Sequence, residues 1–435
     1  MNRWSKTPSP VWNLSMYNLF MGCALTIVSS FTFIDKLMLR MNIDLGLLGT
    51  IKGVMFLFPA IIYQFLAGIL GKSQKEVQIC AVSYFLRVLL PGVLPFLAMV
   101  TDDRQVLTWW TIILLPAGMM FAVIANNTLM TIYRKVIPAE RYNYSIGMIN
   151  MFFAVASYVL GLPFAWVLDK MEQLSNFNFF LAFGIFQLVT LAFEIPAVIC
   201  LLKVKVPNIF AEKSEKIDML APYRDKKIRM ALLINVLHRF VNGFTGAYIT
   251  VYFVEVARFS MTALLSITIL LGLILTVTLP GAGKAMDRWG YGRFFVALSG
   301  AMLLGMTLFG LCWKSLLVLP FFALLCWDCS TNPVGGWMNV GEYSASSKLA
   351  APEHLKATVA AYSICFNGGL SAGLLLASGL YSVAGWLGAA DLSARLHTYF
   401  LLTLPFFGGL FCAALYFKRI LAISENNSKN PTISA

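Results

Sequence analysis

Nine stretches of 19 to 34 residues run through this 435-residue chain without one Asp, Glu, Lys or Arg: 7–34, 53–71, 105–133, 142–168, 173–193, 259–283, 294–313, 357–390 and 396–417. A helix that crosses the hydrocarbon layer of a membrane needs about 20 predominantly apolar residues. No soluble core has use for so many uncharged segments of that length. The composition agrees, at 59% hydrophobic and 12% charged residues, where soluble domains carry about 25% charged. Disorder requires the opposite balance, low hydrophobicity and high charge. The chain therefore reads as an all-α integral membrane protein, because only helices and closed barrels satisfy their backbone groups inside lipid.

Three further spans emerge when one embedded charge is allowed in each: 78–100 around Arg87, 230–254 around Arg239 and 316–341 around Asp328. The reading is twelve spans, roughly 12–34, 45–71, 78–100, 107–132, 145–168, 178–202, 230–254, 261–284, 293–313, 316–346, 357–381 and 397–417. With the N-terminus placed inside, the inner loops and tails hold 23 Lys and Arg and the outer loops 7, with Lys52, Arg87 and Arg239 inside spans. That asymmetry predicts two cytoplasmic termini and accounts for the formal charge of +13 without a nucleic-acid partner. Trp109 and Trp110 at the start of the fourth span and Trp313 at the end of the ninth suit interfacial anchors. The first apolar run is long enough to span and is read as a retained helix rather than a signal peptide. All eight cysteines lie in or beside apolar runs, so no disulfide framework is expected. Cys326-Trp327-Asp328-Cys329 matches C-x-x-C formally but has neither a second pair nor a flanking His, so no metal site is expected.

The longest hydrophilic segment, 203–229, carries eight Lys and Arg and divides the chain into six spans and six. The expected organisation is an N-terminal six-helix bundle over 1–202, a cytoplasmic linker over 203–229 and a C-terminal six-helix bundle over 230–435. The halves look alike at an offset of about 215 residues, and internal repeats typify transporters. Gly68-Ile69-Leu70-Gly71-Lys72 ends the second span where Gly283-Lys284-Ala285-Met286-Asp287-Arg288-Trp289-Gly290 ends the eighth, with Arg293 following. Ile137-Pro138-Ala139-Glu140-Arg141 and Ala351-Pro352-Glu353-His354 follow the fourth and tenth. Asp35 and Glu255 close the first and seventh.

On these residues the chain resembles the major facilitator superfamily (MFS) over nearly its whole length. The family signature G-x-x-x-D-R-x-G in the 2–3 and 8–9 loops is matched at Gly283, Asp287, Arg288 and Gly290. The first copy departs from it, with Lys72 where the family has Asp. Ser157-x-x-x-Gly161-Leu162-Pro163 echoes the fifth-helix pattern G-x-x-x-G-P in part. The resemblance implies two pseudo-symmetric six-helix bundles, with spans 1, 4, 7 and 10 lining a central cavity and spans 2, 5, 8 and 11 between the halves.

The polar residues inside the spans fall on stripes. Asp328, Asn332, Gly335, Asn339 and Glu342 step by three or four residues and share one helical face. Asn235, Arg239, Asn242, Gly246 and Thr250 do the same in the seventh span, and Asn18, Gly22, Thr26 and Ser29 in the first. Asn126 and Asn127 lie in the inner half of the fourth. Such faces turn away from lipid, towards protein or water, and serve either as helix glue or as a solute path. Trp327, Trp337 and Tyr343 add aromatic faces, a combination suited to sugars. Asp328, about 18 Å along its span, is expected to meet Arg239, either as the coupling carboxylate or in a permanent structural salt bridge. Arg87 and Glu194, both about 12–14 Å deep, are expected to form a structural ion pair within the first half.

Two G-x-x-x-G motifs, Gly49-x-x-x-Gly53 and Gly369-x-x-x-Gly373, mark close helix contacts. Lys52 within the first lies about 10 Å from the outer end; it either snorkels outward, the favoured reading, or takes part in a gate contact where the resemblance implies that spans 2 and 11 meet. Gly369-Leu370-Ser371-Ala372-Gly373 also matches the hydrolase pattern G-x-S-x-G, which needs a strand–turn–helix elbow that a spanning helix does not offer. No catalytic set is evident, no enzyme is expected, and an intramembrane enzyme or sensor is a distant alternative. No phosphate-binding G-x-x-x-x-G-K-[ST] loop occurs, so no cofactor is expected and an ion gradient takes the place of ATP. The expected function is secondary active transport of a small polar solute, a sugar or related compound, as a proton symporter in the cell membrane. The alternative is a proton-driven exporter of drugs or metabolites. A monomer in the lipid bilayer, acting on a small-molecule substrate, is expected.

Overall fold

The computed structural model describes residues 10–28, 31–70, 75–137, 142–174, 178–206, 220–314, 322, 333–350 and 354–429. The expected site residues Trp327, Asp328 and Asn332 lie outside these residues, as does the side chain of Asp287. In chain order the helices are α1 (Pro10–Leu25), α2 (Phe31–Arg40), α3 (Leu45–Leu70), α4 (Glu76–Gly92), α5 (Leu94–Val100), α6 (Arg104–Val136), α7 (Tyr142–Met171), α8 (Phe179–Ala192) and α9 (Glu194–Leu202). Then follow α10 (Ala221–Arg224), α11 (Lys226–Val251) with a π-helical turn Tyr252–Val256, α12 (Met261–Leu311), α13 (Pro333–Leu349), α14 (Leu355–Trp386) and α15 (Leu392–Lys429). Among the described residues, nine helical segments are long and apolar enough to cross a membrane.

Several boundaries have visible local causes. Asp103 caps α6 by accepting from the backbone N–H groups of Gln105 and Val106, and Asp225 caps α11 through Lys227 and Ile228. Asn178 caps α8 through Leu181. Each cap satisfies N–H groups that the first helical turn leaves without partners. The third expected span is two helices, α4 and α5, meeting at Val93 between Pro91 and Pro95. The sixth divides likewise into α8 and α9 at Phe193. The single long α12 turns at Gly290, whose φ of 73° lies on the left-handed side where a Cβ would be strained. That glycine is the last of the loop signature, so backbone geometry explains its place there.

The chain forms two compact units. The first comprises Met1–Ser214 together with Ser260–Ile269, and the second Glu215–Phe259 together with Leu270–Ala435. Within the first, α1 packs against α7 so tightly that a Cβ on Gly22 would sit 2.3 Å from the Phe153 carbonyl oxygen. Ser157 donates to the Gly22 carbonyl at 2.9 Å across the same seam. Within the second, α11 packs against α14, and Cβ atoms on Gly369 and Gly373 would lie 2.5 and 2.1 Å from the carbonyl oxygens of Val236 and Phe240. Spans 1 and 5 thus repeat the contact of spans 7 and 11. In both, small residues let backbones approach where lipid offers no hydrophobic drive.

Trp313 departs from its expected place at the interface. It is 4% exposed, stacked on His397 at 4.9 Å and against Tyr252 at 4.5 Å. His397 in turn meets the Gly310 carbonyl oxygen at 2.9 Å. The ring is held by an aromatic cluster that forms only when α11, α12 and α15 come together. Trp109 and Trp110 are exposed, as interfacial anchors would be.

Candidate functional site

In the second unit the polar stripe of α11 meets that of α13. Glu342 is completely buried and accepts two hydrogen bonds, from Asn235 Nδ2 at 2.8 Å and from His238 Nδ1 at 2.7 Å. His238 is also completely buried, and its Nε2 lies 3.1 Å from Asn242 Nδ2. Asn235, His238 and Asn242 succeed one another at intervals of three and four residues, which is why one face of α11 presents all three. Gly335 of α13 leaves room beside them: a Cβ there would be 3.5 Å from His238 Nε2 and 4.0 Å from Asn242 Nδ2.

Arg239 sits one position round the same helix. Its Nη2 donates to Asn339 of α13, it is hydrogen-bonded to Tyr362 of α14, and its guanidinium lies 3.5 Å from the centre of the Phe366 ring. Its Nε is buried without a hydrogen-bond partner among the described residues. The arrangement holds a cation over an aromatic face with one donor unspent. The expected partner Asp328 lies outside the described residues, so the described contacts of Arg239 are Asn339, Tyr362 and Phe366.

The other expected residues are dispersed. Trp337 donates from Nε1 to Thr278 Oγ1 of α12 at 3.1 Å, which fixes its ring edge against that helix. In the first unit Asn18 of α1 donates to Tyr133 of α6 at 2.7 Å, Tyr84 of α4 donates to the exposed Asn126 of α6, and Asn127 donates back to the Val123 carbonyl at 2.9 Å. Arg87 lies 5.7 Å from the Tyr84 ring centre. Glu194 is 2% exposed, and its carboxylate accepts no hydrogen bond among the described residues.

Lys52 corrects an expectation. It does not snorkel: its Nζ lies 2.6 Å from Asp35 Oδ1, with both side chains completely buried. Gly49 and Gly53 flank it on α3. The loop-signature residues Arg288 and Gly290 are exposed, as is Arg293, and a Cβ on Gly283 would meet nothing.

Sequence reasoning missed three participants. His238 is not among the expected site residues, although its spacing from Asn235 and Asn242 carries the signal. Asp35 was noted only as the end of a span. Asp169, at the end of α7, accepts from the backbone N–H groups of Met261 and Thr262 and from the Thr262 hydroxyl, at 3.2, 2.7 and 2.6 Å. No spacing pattern links residues 92 or 93 positions apart.

No family model and no curated protein matches the chain. Solved structures do. A D-xylose–proton symporter aligns over 94% of this chain and 96% of its own, at 14% identity and a TM-score of 0.65. The nucleoside transporter NupG aligns over 95% and 99%, at 14% and 0.63. A bacterial homologue of the iron transporter ferroportin, in its outward-facing state, aligns over 95% and 100%, at 13% and 0.64. The chain has the major facilitator superfamily fold. At such identities the MFS fold is what these structures share with it. The solutes named for them differ, so the chemistry must be argued from the side chains.

Proposed function

We propose that this MFS-fold protein is a secondary active transporter that moves a small polar solute by alternating access, driven by protons in symport. The observation that carries the reading is the concentration of buried Asn235, His238, Arg239 and Glu342, with half-buried Asn339 beside them, inside the second unit. Charged and amide groups in spanning helices are expensive and mark solute or ion paths. The unspent Nε of Arg239 and the stacked guanidinium suit a solute with hydrogen-bond acceptors, a sugar or related compound among them. The D-xylose–proton symporter among the similar structures supports proton coupling, and the nucleoside transporter supports a polar, ring-bearing solute. Asp328 remains a candidate coupling carboxylate by its depth in the tenth span. The inner-loop excess of Lys and Arg supports cytoplasmic termini in the cell membrane.

The test is uptake into proteoliposomes across a solute panel. An imposed inward-acid gradient should drive accumulation of at least one polar solute, and a protonophore should abolish it. Export of apolar drugs against the gradient, without uptake of any polar solute, would favour the exporter reading instead.

A further inference from the structure

His238 and Glu342 form the best-enclosed titratable pair described in the second unit, and transport chemistry alone does not explain the two amides that bracket them. Glu342 has both oxygens engaged, by His238 and by Asn235. With Asn242 Nδ2 facing Nε2, that ring nitrogen is the acceptor and Nδ1 is the one that donates to the carboxylate. In that arrangement every polar atom of the imidazole and carboxylate is engaged, while Asn242 Oδ1, beside the ring, and Asn235 Oδ1, beside the carboxylate, are buried without a partner among the described residues. Burying such an acceptor unmade is costly.

The orphan on Asn242 has a use. A second proton on the imidazole turns Nε2 from acceptor to donor. Half a turn of the Asn242 amide exchanges Nδ2 for Oδ1 and supplies the acceptor that the new N–H needs. Gly335 of α13 puts no side chain beside the amide, where a Cβ would lie 4.0 Å from Asn242 Nδ2. We infer that His238, backed by Glu342 and read by the Asn242 amide, is a proton-binding site with two hydrogen-bonded states.

The surroundings constrain the charge. Arg239 comes from the same helix, Glu342 from α13 and Tyr362 from α14, where Tyr362 bonds Arg239 and stacks edge-on with Tyr343 of α13 at 5.7 Å. From α15, Tyr399 is engaged with the Phe244 carbonyl, and from α10, Tyr223 with Cys365 of α14. With His238 neutral, the Glu342 and Arg239 charges cancel. The incoming proton leaves the cluster with one net positive charge, and the stripe changes both its charge and the direction of one hydrogen bond. A side chain of this kind is suited to bias two conformations. As the coupling element the site rests on the transport reading; as a proton site it does not.

The experiment is nitrogen-15 NMR of the full chain in lipid nanodiscs, labelled at histidine and asparagine side chains. The chain has three histidines, so His238→Gln identifies the signal by its loss. Lowering the pH from about 9 to about 5, across the histidine range, should convert His238 from the singly to the doubly protonated form. The Asn242 amide signals should move with the same midpoint, and Glu342→Gln should remove the transition from that range. A His238 that keeps one protonation state throughout, or that titrates while the Asn242 amide stays still, overturns the inference. If His238 and Asn242 titrate together but no solute is driven by a pH gradient, the transport reading fails and the proton site stands. If uptake is gradient-driven and His238 is silent, the coupling proton is carried elsewhere and the inference falls.

Discussion

The ammonium of Lys52 lies 2.6 Å from the carboxylate of Asp35, and neither side chain is exposed. The pair joins α2 to α3 across the turn at 41–44. Two opposite charges withdrawn from water stay only because each compensates the other, and removing one leaves the other uncompensated. Lys52→Met and Asp35→Asn should each destabilise the protein by about 3–5 kcal/mol, whereas the double substitution should cost markedly less. Thermal unfolding of the detergent-solubilised variants measures this; additive single effects would show that the pair is not coupled.

Arg87 and Glu194 remain a proposed pair of the first unit. Both are in helices that pack together, α4 and α9. Neutralising Glu194 alone or Arg87 alone should lower the yield of folded protein, and Arg87→Leu with Glu194→Leu should restore part of it. Size-exclusion recovery reads the result. Recovery no better for the double variant than for the worse single one would dissolve the pair.

The α11–α14 seam predicts a sharp contrast between glycines. Gly373→Ala would place a Cβ 2.1 Å from the Phe240 carbonyl oxygen, in rigid helical backbone. The helices must part, at a cost of about 1–3 kcal/mol or more. Gly379→Ala on the same helix meets nothing within 4 Å and should be neutral or slightly stabilising, since alanine favours the helix. Equal melting temperatures for the two variants would contradict the packing.

Arg239 offers a test of the solute site under the transport reading. Arg239→Lys keeps the charge but loses the planar fork that reaches Asn339 and Tyr362 while lying on Phe366. Lysine does not replace arginine at a stacked site. The half-saturation concentration for solute counterflow should rise roughly tenfold, equivalent to about 1.4 kcal/mol. An unchanged value would remove Arg239 from the solute path.

Asp169 makes three contacts at the start of α12, two of them to backbone N–H groups of the first turn. Asp169→Ala should cost about 1 kcal/mol, as loss of a helix cap does. Hydrogen exchange at Met261 and Thr262 should accelerate in the variant, and unchanged protection there would argue against the cap.

The amino-acid order alone determined that the chain is a bundle of spanning helices, because the length of an uncharged run is a local quantity that the bilayer thickness reads directly. It also located the polar faces, since helical periodicity carries a stripe such as Asn235–Arg239–Asn242 within a few turns. Gly290 and the Gly369–Gly373 pair were legible for a related reason: a backbone that must turn or approach closely admits few residues. Partner choice was not local. Lys52 read as a snorkelling cation because its distance from a span end was visible and the fold of α2 back against α3 was not. Trp313 read as an anchor because its position at a helix end was visible, while the rings that enclose it come from three helices. His238 and Glu342 are 104 residues apart, and nothing in either stripe specifies which way its helix is rotated towards the other. That rotation is decided by packing, through the glycines that seat α14 on α11 and the gap at Gly335 where α13 meets it. Only the assembled unit determines which buried charge is compensated, and by what.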